Sequence, residues 1–129
     1  ELRISPINIS VHATDPALRE AMLKHRRAGE CLAIMERFAA AGITMNCQIV
    51  ACPGVNDGRE QLSEIVQFLR RLPSLADYEL LPYHNWGEGK YRQLGRSYPL
   101  AGLEPPDRGA VRRLNDELRA ELGLRPGQE

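Results

Sequence analysis

Three polar clusters interrupt an otherwise ordinary chain, and each follows an apolar run. Ser10, His12 and Thr14 follow "INI"; Gln48 to Asn56 surround "IVACPG"; and "YELLPYHNWGEGKYRQLGRSYPL" (78–100) carries His84, Asn85, Trp86 and Lys90. An imidazole offers a donor or acceptor at each nitrogen, and an amide offers both, so these groups suit recognition of a polar ligand. Gln48 stands inside an apolar run, where an unpartnered amide costs roughly 1–3 kcal/mol. A ligand or a neighbour is therefore expected to satisfy it. His12 is open between a ligand contact and a hydrogen-bonded core histidine. Ser10, His12 and Asp15 do not read as a hydrolase triad, because Ser and His two apart on a strand point the same way. Nothing resembles a nucleophile elbow. There is no G-x-G-x-x-G or Walker pattern, and no H-x-x-x-H or C-x-x-C metal spacing.

The elements that must position these groups alternate. "INISVHA" (7–13) reads as a short buried strand. Asp15 then caps a helix with Pro16 at its first position, and Leu18, Met22 and Leu23 give that helix an apolar side. "KHRR" (24–27) and Gly29 break it; the basic patch is a solvated helix end or a binding site. Leu32, Met35, Phe38 and Ala39 recur at helical spacing before Gly42, and "ITMNCQIVAC" (43–52) is a β-branched strand. After the turn "PGVNDG" (53–58), Asp57 and Glu60 have capping-box spacing. Leu62, Ile65, Val66 and Leu69 form the next helix's stripe. Pro73 ends it, "YELLPYH" (78–84) is a third strand, and a long loop leads to a last helix. That helix starts near Asp107 and buries Val111, Leu114, Leu118 and Leu122.

Strands alternating with helices predict an α/β fold with a parallel sheet, either open and doubly wound or a section of a barrel. In both, ligands bind at the carboxyl ends of the strands, where the polar clusters lie. The 129 residues suffice for one domain, and 17 acidic against 17 basic side chains give no general drive toward nucleic acid or an anionic membrane. No apolar run approaches the roughly 18 residues of a membrane span. Cys31, Cys47 and Cys52 make no disulfide framework, so a reducing, cytoplasmic compartment is expected, with the thiols as small buried hydrophobes. Cys47 and Cys52, five apart on one strand, face opposite sides and argue against a shared metal. The chain opens on Glu1, which suggests a piece of something larger or a trimmed chain.

The stretch "ELLPYHNWGEGKYRQLGRSYPLAGLEPP" (79–106) resembles the carboxyl-terminal signature of glycyl-radical-enzyme activating enzymes, the family of pyruvate formate-lyase activase. These are radical S-adenosylmethionine (SAM) enzymes. The matching positions are Leu80 to His84, Gly87, Lys90, Tyr91, Leu94, Gly95, Tyr98, Pro105 and Pro106. "ISVHATDPALREAMLKHRRAGE" and "MNCQIVACPGVNDG" resemble instead a radical SAM branch of iron–sulfur oxidoreductases. The activases usually carry aspartate-leucine-lysine where Ser10, Val11 and His12 stand, and an arginine near Gln48.

The resemblance implies the carboxyl-terminal part of a partial (β/α)6 TIM-like barrel. The chain, residues 1–129, would supply strands four to six and a final helix. The cluster-binding amino-terminal part, with its C-x3-C-x2-C motif for a [4Fe-4S] cluster, would be missing. The complete enzyme would use SAM and that cluster to make a 5′-deoxyadenosyl radical for hydrogen abstraction. This chain would be inactive alone. By resemblance His84, Gln48 and His12 contact SAM, while Asn85, Trp86 and Lys90 meet a protein substrate, a glycyl-radical enzyme. Trp86 is an interface anchor or packs on its own helix. Open sheet edges and an uncovered apolar face would make such a half-barrel prone to self-association. The alternatives are another radical SAM oxidoreductase, a non-catalytic interaction module using the 84–98 loop, or part of a phosphate-handling barrel.

Overall fold

A computed structural model describes residues 5–127. Strand β1 (Ile7–Ser10) leads to helix α1 (Pro16–Leu23), a single 3-10 turn (Ala28–Glu30) and helix α2 (Cys31–Ala40). Strand β2 (Met45–Ala51), helix α3 (Arg59–Leu69) and strand β3 (Leu75–Pro82) follow. A short helix α4 (Glu88–Gln93) and helix α5 (Arg108–Glu121) complete the order. The three strands are parallel, in the order β1-β2-β3.

Local chemistry explains most boundaries. Asp15 Oδ1 accepts the Leu18 N–H at 2.7 Å, capping as expected, and Asp107 Oδ1 accepts that of Ala110 at 2.6 Å, capping the helix expected to start near it. The capping box before α3 lies elsewhere than expected. Gly58 is the N-cap and Gln61 Oε1 accepts its N–H at 3.2 Å, while Asp57 closes the preceding turn by accepting the Gly54 N–H at 2.9 Å. Gly123 follows α5 at φ +72, the left-handed conformation that glycine adopts without strain.

The core lies on one face of the sheet. Met45, Cys47, Ile49 and Ala51 of β2 and Tyr78 and Leu80 of β3 pack there. Against them lie Met35 of α2, Ile65 and Leu69 of α3, and Val111 and Leu118 of α5. Helices on a single face favour a section of a barrel over a doubly wound sheet, which carries them on both. The helix α1 stripe does not join this core: Leu18 and Met22 are half-buried and Leu23 is exposed, while the buried residue of α1 is Arg19.

The other face is mixed rather than the uncovered apolar face expected: two rows are polar, and Val50 beside Leu81 makes the row at the carboxyl ends apolar. Strand alternation puts Asn8 and Ser10, Asn46 and Gln48, and Asp77 and Glu79 on it. Register sets them in rows: Asn8 beside Asn46 beside Asp77, and Ser10 beside Gln48 beside Glu79. Asn46 Nδ2 donates to Asn8 Oδ1 at 3.0 Å.

The two sheet edges differ. On β3, Asn115 Oδ1 accepts the outward N–H of Leu80 at 2.8 Å, and Arg119 donates to the Tyr78 carbonyl and, at 2.6 Å, to Asp77. Side chains of α5 thus take the place of a further strand. On β1, Ile7 and Val11 donate toward β2, which by ladder parity turns the N–H groups of Asn8 and Ser10 to the other side. No strand pairs there among the described residues. No helix among them is long and apolar enough to cross a membrane.

Candidate functional site at the carboxyl ends of the strands

The end of β1 is built unlike an ordinary strand end. The expected strand through Ala13 stops at Ser10, because His12 has φ +60. The Ala13 N–H returns to the Val11 carbonyl at 2.7 Å, closing a γ-turn around His12. A non-glycine residue at positive φ costs of order 1–3 kcal/mol and persists only where its surroundings enforce it.

Two fully buried side chains do the enforcing. Arg19 Nη1 donates to the Val11 carbonyl and, at 3.0 Å, to the Ala13 carbonyl, while Nε donates to Ala28 O at 2.9 Å. Asn56 Nδ2 donates to His12 O at 2.9 Å and to Val50 O at 2.8 Å, and Oδ1 accepts the Cys52 N–H at 2.7 Å. Val11 N–H donates to Gln48 O, so a continued ladder would next send the Val50 N–H to Val11 O. Arg19 and the γ-turn occupy that carbonyl, and the Val50 N–H meets His12 Nδ1 at 3.4 Å instead.

Two spaces open at these ends. A largely apolar cavity of about 450 Å³ is lined by His12, Met22, Lys24, Cys52, Tyr98 and Leu100, among others. A groove of about 510 Å³ runs along Leu81, His84, Asn85, Trp86 and Pro106. Val50 and Tyr83 wall both. Tyr83 and Tyr98 share a hydroxyl hydrogen bond of 2.8 Å, and Tyr91 meets Tyr98 edge-on with centroids 5.3 Å apart. This trio ties the long loop to the end of β3.

Residues 1–77 match the family described as a radical SAM-like domain. The chain belongs to that family. It is 38% identical over 72 residues to pyruvate formate-lyase-activating enzyme of Streptococcus mutans, covering 56% of this chain and 27% of that protein. With the Staphylococcus epidermidis enzyme it shares 40% over 63 residues, 49% of this chain and 25% of that one. The chain thus spans about a quarter of the length of these curated relatives. A solved domain of pyruvate-formate lyase-activating enzyme from Bacteroides vulgatus superposes with TM-score 0.68 at 19% identity, over 92% of this chain and 63% of that one. A radical SAM methyltransferase from Sphaerobacter thermophilus gives 0.66 at 22%, over 93% and 32%. At such identities the likeness shows the fold, a section of a TIM-like barrel.

Radical SAM enzymes carry an iron–sulfur cluster, and the residues of this chain do not fit one. Among the described residues no three Cys, His, Asp or Glu side chains converge as metal ligands. Cys47 packs in the core, Cys52 lines the apolar cavity and Cys31 lies on α2. Burial pushes the Cys47 and Cys52 thiols up, Cys47 to about 12, against the thiolate form that a cluster needs.

The residues singled out from sequence are brought together only in part. His12 lines the cavity, while His84, Asn85 and Trp86 line the neighbouring groove. Gln48 is half-buried in the polar row between Ser10 and Glu79, open to water rather than sealed in the core. Lys90, on α4, lines neither space. Trp86 is 73% exposed and stacks on His84, with centroids 4.4 Å apart, rather than packing on its own helix. The "KHRR" patch is exposed, but Lys24 reaches the cavity from the left-handed C-cap of α1.

Arg19 escaped the sequence reading. An arginine inside a short helix carries no local sign that it meets carbonyl oxygens rather than water.

Burial, and then the Arg19 charge, lower the His12 pKa. An unfolded chain takes up that proton first, so His12's contribution to stability is complete above about pH 6.5. It is lost as the pH falls toward the folded value. Tyr83, raised to about 12 by burial and then by its bond to Tyr98, acts at the other end, as does Cys47. Their folded forms hold protons that the unfolded chain releases from about pH 9. Urea midpoints should therefore plateau near neutrality and fall both below about pH 6.5 and above about pH 9. A midpoint still rising at pH 10 would contradict this.

Proposed function

We propose that this chain forms the SAM-facing and substrate-facing part of a radical SAM enzyme, with glycyl-radical-enzyme activation as its reaction. The carrying observation is the placement of the His12 cavity beside the His84 groove at the carboxyl ends of the strands, with Val50 and Tyr83 walling both. SAM has a charged amino-acid end, a ribose and a flat base, and the donor set fits it. His12, Gln48 and His84 offer imidazole and amide groups to its carboxylate and hydroxyls, beside apolar surface from Val50, Leu81 and Tyr83. Bound at a reduced cluster, SAM supplies a 5′-deoxyadenosyl radical for hydrogen abstraction. This chain's share is to orient SAM and keep water from its buried side. Asn85, exposed Trp86 and Lys90 offer a protein substrate an aromatic anchor and polar contacts at the rim. The identity to two pyruvate formate-lyase-activating enzymes supports the choice of reaction.

Ser10-Val11-His12 favours a second reading, another radical SAM oxidoreductase. His12 and Ser10 stand where the activases carry lysine and aspartate, and His12 is built in with care.

Anaerobic iron–sulfur reconstitution tests the assignment of parts. The 129-residue chain alone should take up no stable four-iron cluster and cleave no SAM. Joined to a segment bearing C-x3-C-x2-C, it should do both and raise a glycyl-radical signal by electron spin resonance on an acceptor enzyme. A cluster in the isolated chain would overturn the division of labour. SAM cleavage without any glycyl radical would favour the second reading.

A further inference from the structure

We propose that Arg19 and Asn56 are positioning residues that hold His12 as the Nε2–H tautomer, a fixed donor aimed at an acceptor atom of a ligand in the α1 cavity. The backbone leaves His12 little choice. Nδ1 accepts the Val50 N–H, so the ring proton sits on Nε2, at the opposite end of the imidazole. That bond exists only because Arg19 and the γ-turn have taken the Val11 carbonyl from the ladder, and because Asn56 pins the carbonyls of both His12 and Val50. Arg19 reaches three carbonyl oxygens and, among the described residues, no carboxylate, so its positive charge stands beside the ring. No carboxylate lines the cavity among the described residues. The other titratable groups facing it are Lys24 at the C-cap of α1, Cys52 after β2, Tyr83 after β3, Tyr91 of α4 and Tyr98 beyond it. Burial and the Arg19 charge oppose a second proton on His12, and the charges of Arg19 and Lys24 favour an anionic or acceptor group in the space it faces.

Only the consequence for SAM rests on the proposed function; the tautomer does not. The test is long-range proton–nitrogen spectroscopy on the intact chain carrying nitrogen-15 histidine and arginine. Wild type should show a single Nε2–H form of His12 at neutral pH and a titration midpoint below the ordinary value of about 6.5. It should also show nitrogen–nitrogen coupling across the Val50 N–H···Nδ1 bond and slow exchange of the Arg19 guanidinium protons. An Nδ1–H form, an averaged mixture, or a freely exchanging Arg19 overturns the proposal without any variant. Arg19→Lys keeps the charge but loses the planar fork, and Asn56→Ala keeps Arg19 whole. Each should replace the single tautomer by a mixture and raise the midpoint. A folded variant with a wild-type tautomer and midpoint overturns the positioning role of that residue. Adding SAM separates the two readings: if the tautomer is as stated but His12 does not respond to SAM, the inference stands and the SAM contact fails.

Discussion

Arg19→Met should cost the chain on the order of 3 kcal/mol or more, a large part of the total stability of a domain this size. Methionine preserves most of the buried volume, so the loss isolates the guanidinium. Its removal leaves the Ala13 carbonyl without its buried donor, at about 1–3 kcal/mol where water does not replace it, and takes one of two donors from the carbonyls of Val11 and Ala28, which keep the N–H groups of Ala13 and Cys31. The strain of His12 at positive φ then also lacks its restraint. Part of the cost is offset because a buried charge whose partners among the described residues are carbonyls alone is itself unfavourable. Urea denaturation followed by far-ultraviolet circular dichroism measures the difference. A change of less than about 1 kcal/mol would mean that water can reach and satisfy those carbonyls.

Asn56→Ala is the second large effect, at about 2–4 kcal/mol. One fully buried amide makes three bonds of 2.7 to 2.9 Å, linking the turn after β2 to the ends of both β1 and β2. Alanine leaves the Cys52 N–H and two carbonyls unpaired. Because Arg19 and Asn56 brace adjoining peptides, the double variant should lose less than the sum of the two single losses. Additive losses would show that the two side chains act on independent structures.

The helices and strands were largely legible in the sequence, since their stripes follow the period of each element. Leu62, Ile65, Val66 and Leu69 all proved buried on α3, as Val111 and Leu118 did on α5. The placement of His84 beyond β3 was legible for the same reason, from a strand pattern that ends in a loop. The end of β1 was not. Positive φ at a histidine has no local signature, and an arginine looks the same in sequence whether it meets water or three carbonyls. The polar rows of the inner face lay between these cases. Gln48 stands out in the sequence as an amide inside an apolar run, yet its meaning comes from register, which sets it in a row with Ser10 and Glu79. Rows across strands depend on pairing between distant segments, and a single strand's pattern does not contain them.

The same register accounts for the asymmetry of the molecule. Asn115 and Arg119 close the outer edge of β3, whereas among the described residues no strand pairs with β1 on its other side.

The central claim is that SAM is held at the carboxyl ends of these three strands. Titrating SAM into the nitrogen-15-labelled chain, with amide and imidazole signals followed by nuclear magnetic resonance, tests it most directly. The account predicts saturable shifts at His12, Gln48, Val50 and His84, with those at the groove lost in His84→Ala while the core signals stay in place. Shifts confined to the exposed helix faces, or no saturable shift at the strand ends, would contradict it.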